Sequence, residues 1–276
     1  MDNSQAIATK PIDKLKLVLQ SDSVREQFKN ALQDHSDAFL ASVIDLFASD
    51  TSLQQCEPNR VVMECLKAAT LKLPINRSLG FAYVIPYKVK GVMSPQFQIG
   101  YKGFIQLAMR TGQYKYLNAG AILEGQEVHQ DVMTGAITVD GTPTPPEMGQ
   151  IQMAIGYFAY LELRNGFSKA LYMTLDEVKA HGKRYSRAFD SGPWQTNFDS
   201  MAMKTVLRLL LSKFGWLSTE MEMAMTSEPE DAEYTIAQEK DLNANKEELP
   251  PPTRMVQPTM AGQSAPTPQT EKLPWD

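Results

Sequence analysis

Apolar positions recur at helical spacing through the first 70 residues and then change period. Ile12, Leu15 and Leu19 follow Pro11; Val24, Phe28 and Leu32 follow Ser23; Phe39, Leu40, Val43, Ile44 and Phe47 follow Ser36. Proline suits a first helical position and serine a cap, so three short helices are predicted. Pro58 opens a fourth, with Val61, Val62, Cys65, Leu66 and Ala69 on one arc and Arg60, Glu64 and Lys67 pointing away as a solvated face. From Phe81 the period becomes two. Phe81, Tyr83, Ile85 and Tyr87 alternate, Gly91 to Pro95 supplies turn chemistry, and Phe97, Ile99 and Tyr101 alternate again, which predicts a hairpin with Lys88 and Lys90 near its tip.

Phe104 to Arg110 reads as a helix stopped by Gly112, followed by strand-like segments near 115–123, 150–163 and 167–173. Thr174 with Glu177 three residues later spells a capping box, placing a helix start there and a helix to about Ala188. On it Lys179, Lys183, Arg184 and Arg187 fan over one side, while Val178, His181 and Tyr185 take the other. After Ser191-Gly192-Pro193 a longer helix is predicted from about Trp194 to Phe214. Its apolar arc is Met203, Val206, Leu207, Leu210, Leu211 and Phe214, with Lys204 and Arg208 one turn apart at the margin. Their stems pack on the core while their charges line a groove wall.

With 276 residues, 43% of them hydrophobic, the chain can bury a real core as one large domain or two small ones. No apolar run approaches a membrane span and the N-terminus lacks a leader pattern, so the expected location is the cytoplasm. Cys56 and Cys65 have no second pair to complete a zinc site and read as reduced, buried thiols. Beyond about Ser227 the tail holds ten acidic and four basic residues and eight of the chain's 17 prolines, a composition that predicts disorder. It ends Leu273-Pro274-Trp275-Asp276, either a functionless tip or a short docking motif for a partner.

Charge changes the picture. The net value of -5 hides nine Lys or Arg residues against Glu64 alone between Arg60 and Lys115, overlapped by eight aromatics from Phe81 to Tyr116. Cations neutralise successive phosphates and flat rings stack on unpaired bases, so this stretch fits a single nucleic-acid strand. Within it, Gly100-Tyr101-Lys102-Gly103 opens a helix whose glycines let the backbone approach a ligand and whose first amides can face a phosphate. Tyr101 either stacks on a base or fills the core.

Other chemistries find little support. No Gly-Lys-Ser or Gly-Lys-Thr loop offers the phosphate cradle of a motor ATPase. His35, His129 and His181 are scattered, without metal-ligand spacing. The string Asp176-Glu177-Val178-Lys179 imitates the acidic-x-Lys element of a magnesium nuclease, but that element sits on a strand and Glu177 fits a helix cap.

Three strings carry a family resemblance. Leu73-Pro74-Ile75-Asn76 with Phe81-Ala82-Tyr83-Val84-Ile85-Pro86-Tyr87, then Gln98-Ile99-Gly100-Tyr101-Lys102-Gly103-Phe104-Ile105-Gln106-Leu107-Ala108 with Arg110 and Gly112, then Met201-Ala202-Met203-Lys204-Thr205 with Arg208, resemble the RecT family of phage single-strand annealing proteins. The likeness spans roughly residues 20–220. It implies an α+β fold with a compact β-β-β-α annealing core, a hairpin-rich antiparallel sheet packed on a long helix, distantly similar to lambda Beta protein and eukaryotic annealing proteins. It also implies an ATP-independent recombinase, not an enzyme, that coats single-stranded DNA as a ring or helical filament and pairs it with a complementary strand. The implied companions are a 5′-to-3′ exonuclease and the host single-strand-binding protein, in a bacterial cell carrying the phage or prophage. Magnesium commonly assists such annealing, yet no protein ligand set for it, or for any other cofactor, is evident here.

The resulting expectation has three segments: residues 1–57 helical and engaged in subunit contacts, 58–226 the DNA-binding core, and 227–276 a disordered acidic, Pro-rich tail whose end is either functionless or a docking motif for a partner. Arg77, Lys88, Lys90, Lys102, Arg110, Lys115, Lys204 and Arg208 are assigned to phosphates, with Tyr101 and Phe104 stacking or packing and Asn76 and Gln106 adding neutral hydrogen bonds. Lys183, Arg184 and Arg187 form a second tier. About five neutralised phosphates per subunit would give log affinity against log salt a slope near -3.5. The rival classes are a magnesium nuclease using Glu177 and Lys179 and a structural oligomerising scaffold.

Overall fold

The computed structural model describes residues 10–89, 91–146, 152–186 and 188–226. The tail expected to be disordered, together with Lys90 and Arg187, lies outside the described residues.

The N-terminal helices form where the apolar spacing put them: α1 (Pro11–Gln20), α2 (Asp22–Leu32) and α3 (Ser36–Ser49). Leu15, Leu19, Phe28, Val43 and Phe47 turn inward to α4 (Pro58–Thr70), whose Val61, Val62, Cys65, Ala68 and Ala69 are buried. Proline opens both α1 and α4, where the missing N–H costs no hydrogen bond. Ser36 is the first residue of α3 and its side chain does not cap it. Both cysteines are free and buried, and burial pushes the thiol of each upward.

Strands β1 (Ala82–Val89) and β2 (Val92–Ile99) pair as the expected antiparallel hairpin, with Tyr83 opposite Gln98 and Val84 opposite Phe97. Alternation gives the ribbon two faces. Ala82, Val84, Phe97 and Ile99 are buried on the side of α4, while Tyr83, Ile85 and Gln98 face the other way. Glu64 of α4 departs from the solvated face expected of it. Its carboxylate accepts the Phe97 N–H at 2.7 Å and the Lys67 ammonium at 2.8 Å, so it ties the helix to β2.

Helix α5 (Tyr101–Arg110) follows, one turn longer than the apolar pattern indicates. A three-stranded antiparallel sheet has the order β3 (Tyr114–Leu123), β6 (Ala154–Leu163), β7 (Ser168–Thr174). Between β3 and β6 lies a small hairpin of β4 (Glu127–Gln130) and β5 (Ile137–Asp140), which the sequence pattern did not reveal. Helix α6 (Leu175–Tyr185) begins with both hydrogen bonds of the capping box, from Glu177 N–H to Thr174 and from Thr174 N–H to Glu177, and ends three residues sooner than expected.

The single helix expected over 194–214 is two. A short α7 (Pro193–Thr196) stops at Asn197, with φ -151 and ψ 56, and α8 (Phe198–Phe214) starts beyond it. The Tyr157 hydroxyl of β6 donates to the Asp199 carboxylate in the first turn of α8, which fixes the start of that helix over the sheet. Ala202, Val206, Leu207, Leu210 and Leu211 of α8 are buried, as are Tyr157, Ala159 and Leu161 on the facing side of β6. This sheet crossed by α8 is the β-β-β-α arrangement that the resemblance implies. Helix α9 (Thr219–Thr226) packs beside α5.

Candidate nucleic-acid interface

The outer face of the β1–β2 ribbon, the loop before it, the start of α5 and the α7–α8 junction enclose a cleft of about 400 Å³. Three cations from separate parts of the chain line it: Arg77 from the loop, Lys102 from α5 and Lys204 from α8. Tyr83, Gln98, Tyr101, Asn197 and Ser200 complete the polar lining. Lys102 is exposed and makes no ion pair among the described residues. Lys204 is only 9% exposed, on a stretch of α8 whose neighbours are core residues. At this depth its stem packs among core side chains of α8, and Lys204 is one of the residues that line the cleft.

The glycines of the Gly100-Lys102-Gly103 string have a structural task. A Cβ on Gly100 would lie 2.2 Å from the Gly80 carbonyl oxygen, and one on Gly103 would lie 2.2 Å from that of Phe81. The close approach expected toward a ligand is thus made by the loop before β1, which packs its backbone onto the first turn of α5. The Gly100 N–H donates to the Phe81 carbonyl at 3.0 Å, while no side chain caps the helix start. Uncapped amides and the positive end of the helix dipole therefore lie at the cleft, beside Tyr101 and Lys102.

Tyr83 and Tyr101 share the wall. Burial raises the Tyr83 hydroxyl above its ordinary value, proximity to Tyr101 adds to the rise, and Lys204 partly offsets it, so Tyr83 is a neutral donor at pH 7. At the cleft mouth Arg77 is anchored by the Asp50 carboxylate, which follows α3. Burial pushes the Asp50 carboxyl up, but the Arg77 hydrogen bond and the Leu53 and Ser52 N–H groups outweigh it and hold the group below the usual carboxylate range.

The other residues singled out from the sequence go elsewhere. Arg110 caps α4, its guanidinium donating to the Leu71 carbonyl at 2.7 Å and the Lys72 carbonyl at 2.8 Å. Arg208 reaches the Met225 carbonyl of α9 at 3.3 Å and lies near His181 of α6, away from the cleft lining. Lys115 pairs with Glu162 at 2.6 Å across β3 and β6 and sits 5.2 Å from the Tyr116 ring centroid. Lys88 is exposed near the hairpin tip, on the register of the α4-facing side. Phe104 is fully buried and packs in the core; Gln106 is half-buried on α5. The Asn76 side-chain Oδ1 accepts from the Ser78 N–H and hydroxyl, shaping the turn that carries Arg77. Lys183 and Arg184 are exposed on α6, near the Phe189 and Tyr185 rings.

Glu177 is occupied by the capping box, and Lys179 is exposed on the same helix. Among the described residues, no three His, Cys, Asp or Glu side chains gather as a metal site. No helix among them is long and apolar enough to cross a membrane. Tyr83, Gln98, Asn197 and Ser200 are cleft residues that the sequence reading missed. The alternation that buries Ala82 and Val84 contained the signal for Tyr83 and Gln98. For the helix break, Asn197 followed by Asp199 in the first turn of α8 is a helix-start signal that the sequence reading passed over.

A model of the RecT family matches residues 37–244. The chain belongs to the RecT family. It is 39% identical over 270 residues to the Uncharacterized protein YqaK of Bacillus subtilis (strain 168), covering 95% of this chain and 91% of that one. It is also 26% identical over 235 residues to Protein RecT of Escherichia coli (strain K12), covering 83% of this chain and 85% of the relative. RecT-family membership supports a single-strand annealing protein of DNA recombination, and the proteins of this family bind single-stranded DNA and are not classical enzymes. In this RecT-family chain all three family strings reach the cleft: Arg77 closely follows the first, Gly100 to Lys102 lie in the second, and Met201 and Lys204 in the third.

Proposed function

We propose that the protein anneals complementary DNA strands without ATP, holding one strand by its sugar-phosphate backbone in the cleft of Arg77, Lys102 and Lys204. The observation that carries this reading is the convergence of Lys102 and Lys204, from two helices far apart in the sequence, on one cleft. Tyr101 and Tyr83 offer rings to a base, and Gln98, Asn197 and Ser200 offer neutral hydrogen bonds that discriminate little between sequences. Duplex stacking releases about 1.4 kcal/mol per step, so pairing needs no nucleotide fuel. The obstacles are phosphate repulsion and self-folding of each strand, and a row of such clefts removes both.

In this reading the protein coats the strand as a ring or filament, with residues 1–57 serving subunit contacts, 58–226 holding DNA and 227–276 docking a partner. It acts in the cytoplasm after a 5′-to-3′ exonuclease has exposed the strand, and alongside the host single-strand-binding protein. Magnesium screens the DNA and needs no site on the protein. Three phosphates gripped per subunit give a salt slope of about -2, in place of the -3.5 expected from five. The test is to add complementary oligonucleotides in turn to the protein without ATP, with and without magnesium. Annealing faster than the unaided reaction supports the proposal, and cleavage or an unchanged rate refutes it.

A further inference from the structure

The C-terminal end of α8 packs where β3 begins and β6 turns into β7, and the contacts there fix an aromatic edge outside the cleft. The Tyr114 hydroxyl of β3 donates to the Trp216 carbonyl at 2.9 Å. Gly215 fits only without a side chain, since a Cβ there would lie 2.6 Å from the Leu211 carbonyl oxygen and 2.8 Å from the Tyr114 hydroxyl. Tyr114 pairs with Leu163 of β6, whose N–H donates to the Phe167 carbonyl at 2.8 Å across the β6–β7 turn. Alternation puts Phe167 on the same side as Lys169, whose ammonium stands 5.4 Å from the Phe214 ring centroid of α8. On this pinned backbone Trp216 is 54% and Phe167 44% exposed. Large rings held in water by a fixed frame are preorganised for a flat ligand.

Charge narrows the choice of ligand. Arg164, whose N–H ties the β6–β7 turn to the Gln113 carbonyl at 2.9 Å, and Lys213 in the last turn of α8 are exposed. Neither makes an ion pair among the described residues, and Lys213 stands 5.8 Å from the Phe214 centroid. Lys169 is engaged by the Thr134 carbonyl and marks the border of the edge. The segments that build the edge, 112–123, 163–175 and 204–218, contain no Asp or Glu. The flanking carboxylates are occupied elsewhere: Glu162 pairs with Lys115, and Glu220 shares a pocket with Lys72 and Arg110. Exposed rings beside cations that lack a counter-charge suit unpaired bases and their phosphates.

We infer that this edge is a second contact for unpaired DNA, which catches the incoming strand while the cleft holds the first. None of its residues lines the cleft, and Phe214 lies beyond Lys204 on α8 by about 15 Å along the helix axis. The cleft brings three cations to a backbone. The edge brings two cations and its rings, a weaker hold that ignores sequence and suits a strand that must be sampled and then released into pairing. The inference rests on the annealing reading for the role of the first strand, whereas the ligand of the edge is argued from its own rings and charges.

The test saturates the full chain with a short unlabelled oligothymidylate and then adds a second, fluorescent oligothymidylate that cannot pair with it. Anisotropy reads capture of the second strand, and 5-iododeoxyuridine placed in that strand reports by photocrosslinking which peptide it touches. A Phe167→Ser, Trp216→Ser pair removes the rings and an Arg164→Gln, Lys213→Gln pair removes the charges; circular dichroism checks both folds and sedimentation velocity their self-association. The parent is expected to crosslink through the peptides of Phe167 or Trp216. Capture should weaken about fivefold or more in each pair, while affinity for the first strand and self-association stay those of the parent. A parent that binds the first strand but captures no second, or variants that capture it like the parent, overturn the inference and leave the cleft reading standing. Variants that lose self-association together with capture mark the edge as a protein contact and overturn it as well. A parent that crosslinks at this edge yet holds no strand in the cleft upholds the edge and sinks the cleft reading instead.

Discussion

The Asp50 carboxylate accepts a hydrogen bond from Arg77, linking the end of the N-terminal helical layer to a cation at the cleft mouth. The same carboxylate accepts the Ser52 N–H at 2.9 Å and the Leu53 N–H at 3.0 Å, so one side chain both shapes a turn and aims an arginine. Because its folded pKa is depressed, its contribution to stability is present above the ordinary value of 3.8 and is lost as pH falls through the lower folded value. Asp50→Asn should cost about 1 kcal/mol at neutral pH, a figure discounted for the half-exposed Arg77. Thermal melts of parent and variant are expected to converge in acid; a gap that persists there contradicts the role given to the charge.

His181 sets a second acid limit. Burial, with Arg208 and Arg184 nearby, lowers its pKa from 6.5 to about 4. The neutral ring is the folded form, so stability is complete above about pH 6.5 and drains away as pH falls toward 4. His181→Gln should flatten that stretch of the stability curve, as read by urea midpoints between pH 4 and pH 7. An unaltered curve would show that the ring titrates alike in both states.

Gly103 lies in a helix, where alanine would ordinarily stabilise by about 1 kcal/mol. Here its Cβ would meet backbone rather than a yielding side chain, 2.2 Å from the Phe81 carbonyl oxygen. Gly103→Ala is therefore expected to destabilise by about 2–4 kcal/mol, reversing the sign of the propensity. Chemical denaturation decides it, and a stabilised variant would mean that the loop before β1 is free to move off α5.

Arg110→Ala separates a structural cation from a DNA-binding one. It removes two hydrogen bonds to the carbonyls that end α4, a loss of about 1–3 kcal/mol. The salt dependence of DNA binding should stay that of the parent. A slope made shallower by about 0.7 would instead assign Arg110 to a phosphate.

Much of this organisation is legible in the sequence because burial leaves a periodic trace. Pro11 and Pro58 mark helix starts, alternation from Phe81 to Tyr101 marks the hairpin, and Thr174 with Glu177 marks α6. The β4–β5 hairpin escaped because its strands are four residues long and largely exposed, so they bury no regular face. The break at Asn197 escaped because its signal is only a cap residue type with Asp199 in the first turn, weaker punctuation than a glycine or proline. In the site, charge pointed to Lys102 and Lys204, but composition cannot say which cations are already engaged. Arg110 serves backbone carbonyls and Lys115 serves Glu162. Arg208, four residues beyond Lys204, is turned about 40° farther around α8, enough to reach α9.

The most direct test of the cleft is the salt dependence of single-strand binding in a Lys102→Ala, Lys204→Met double variant, where methionine keeps the packed stem of Lys204 without its charge. The expected result is a slope that falls from about -2 to about -0.7, with annealing lost and the melting temperature close to the parent's. A folded double variant that keeps the parent's slope and annealing rate would contradict the claim that these two lysines grip the strand.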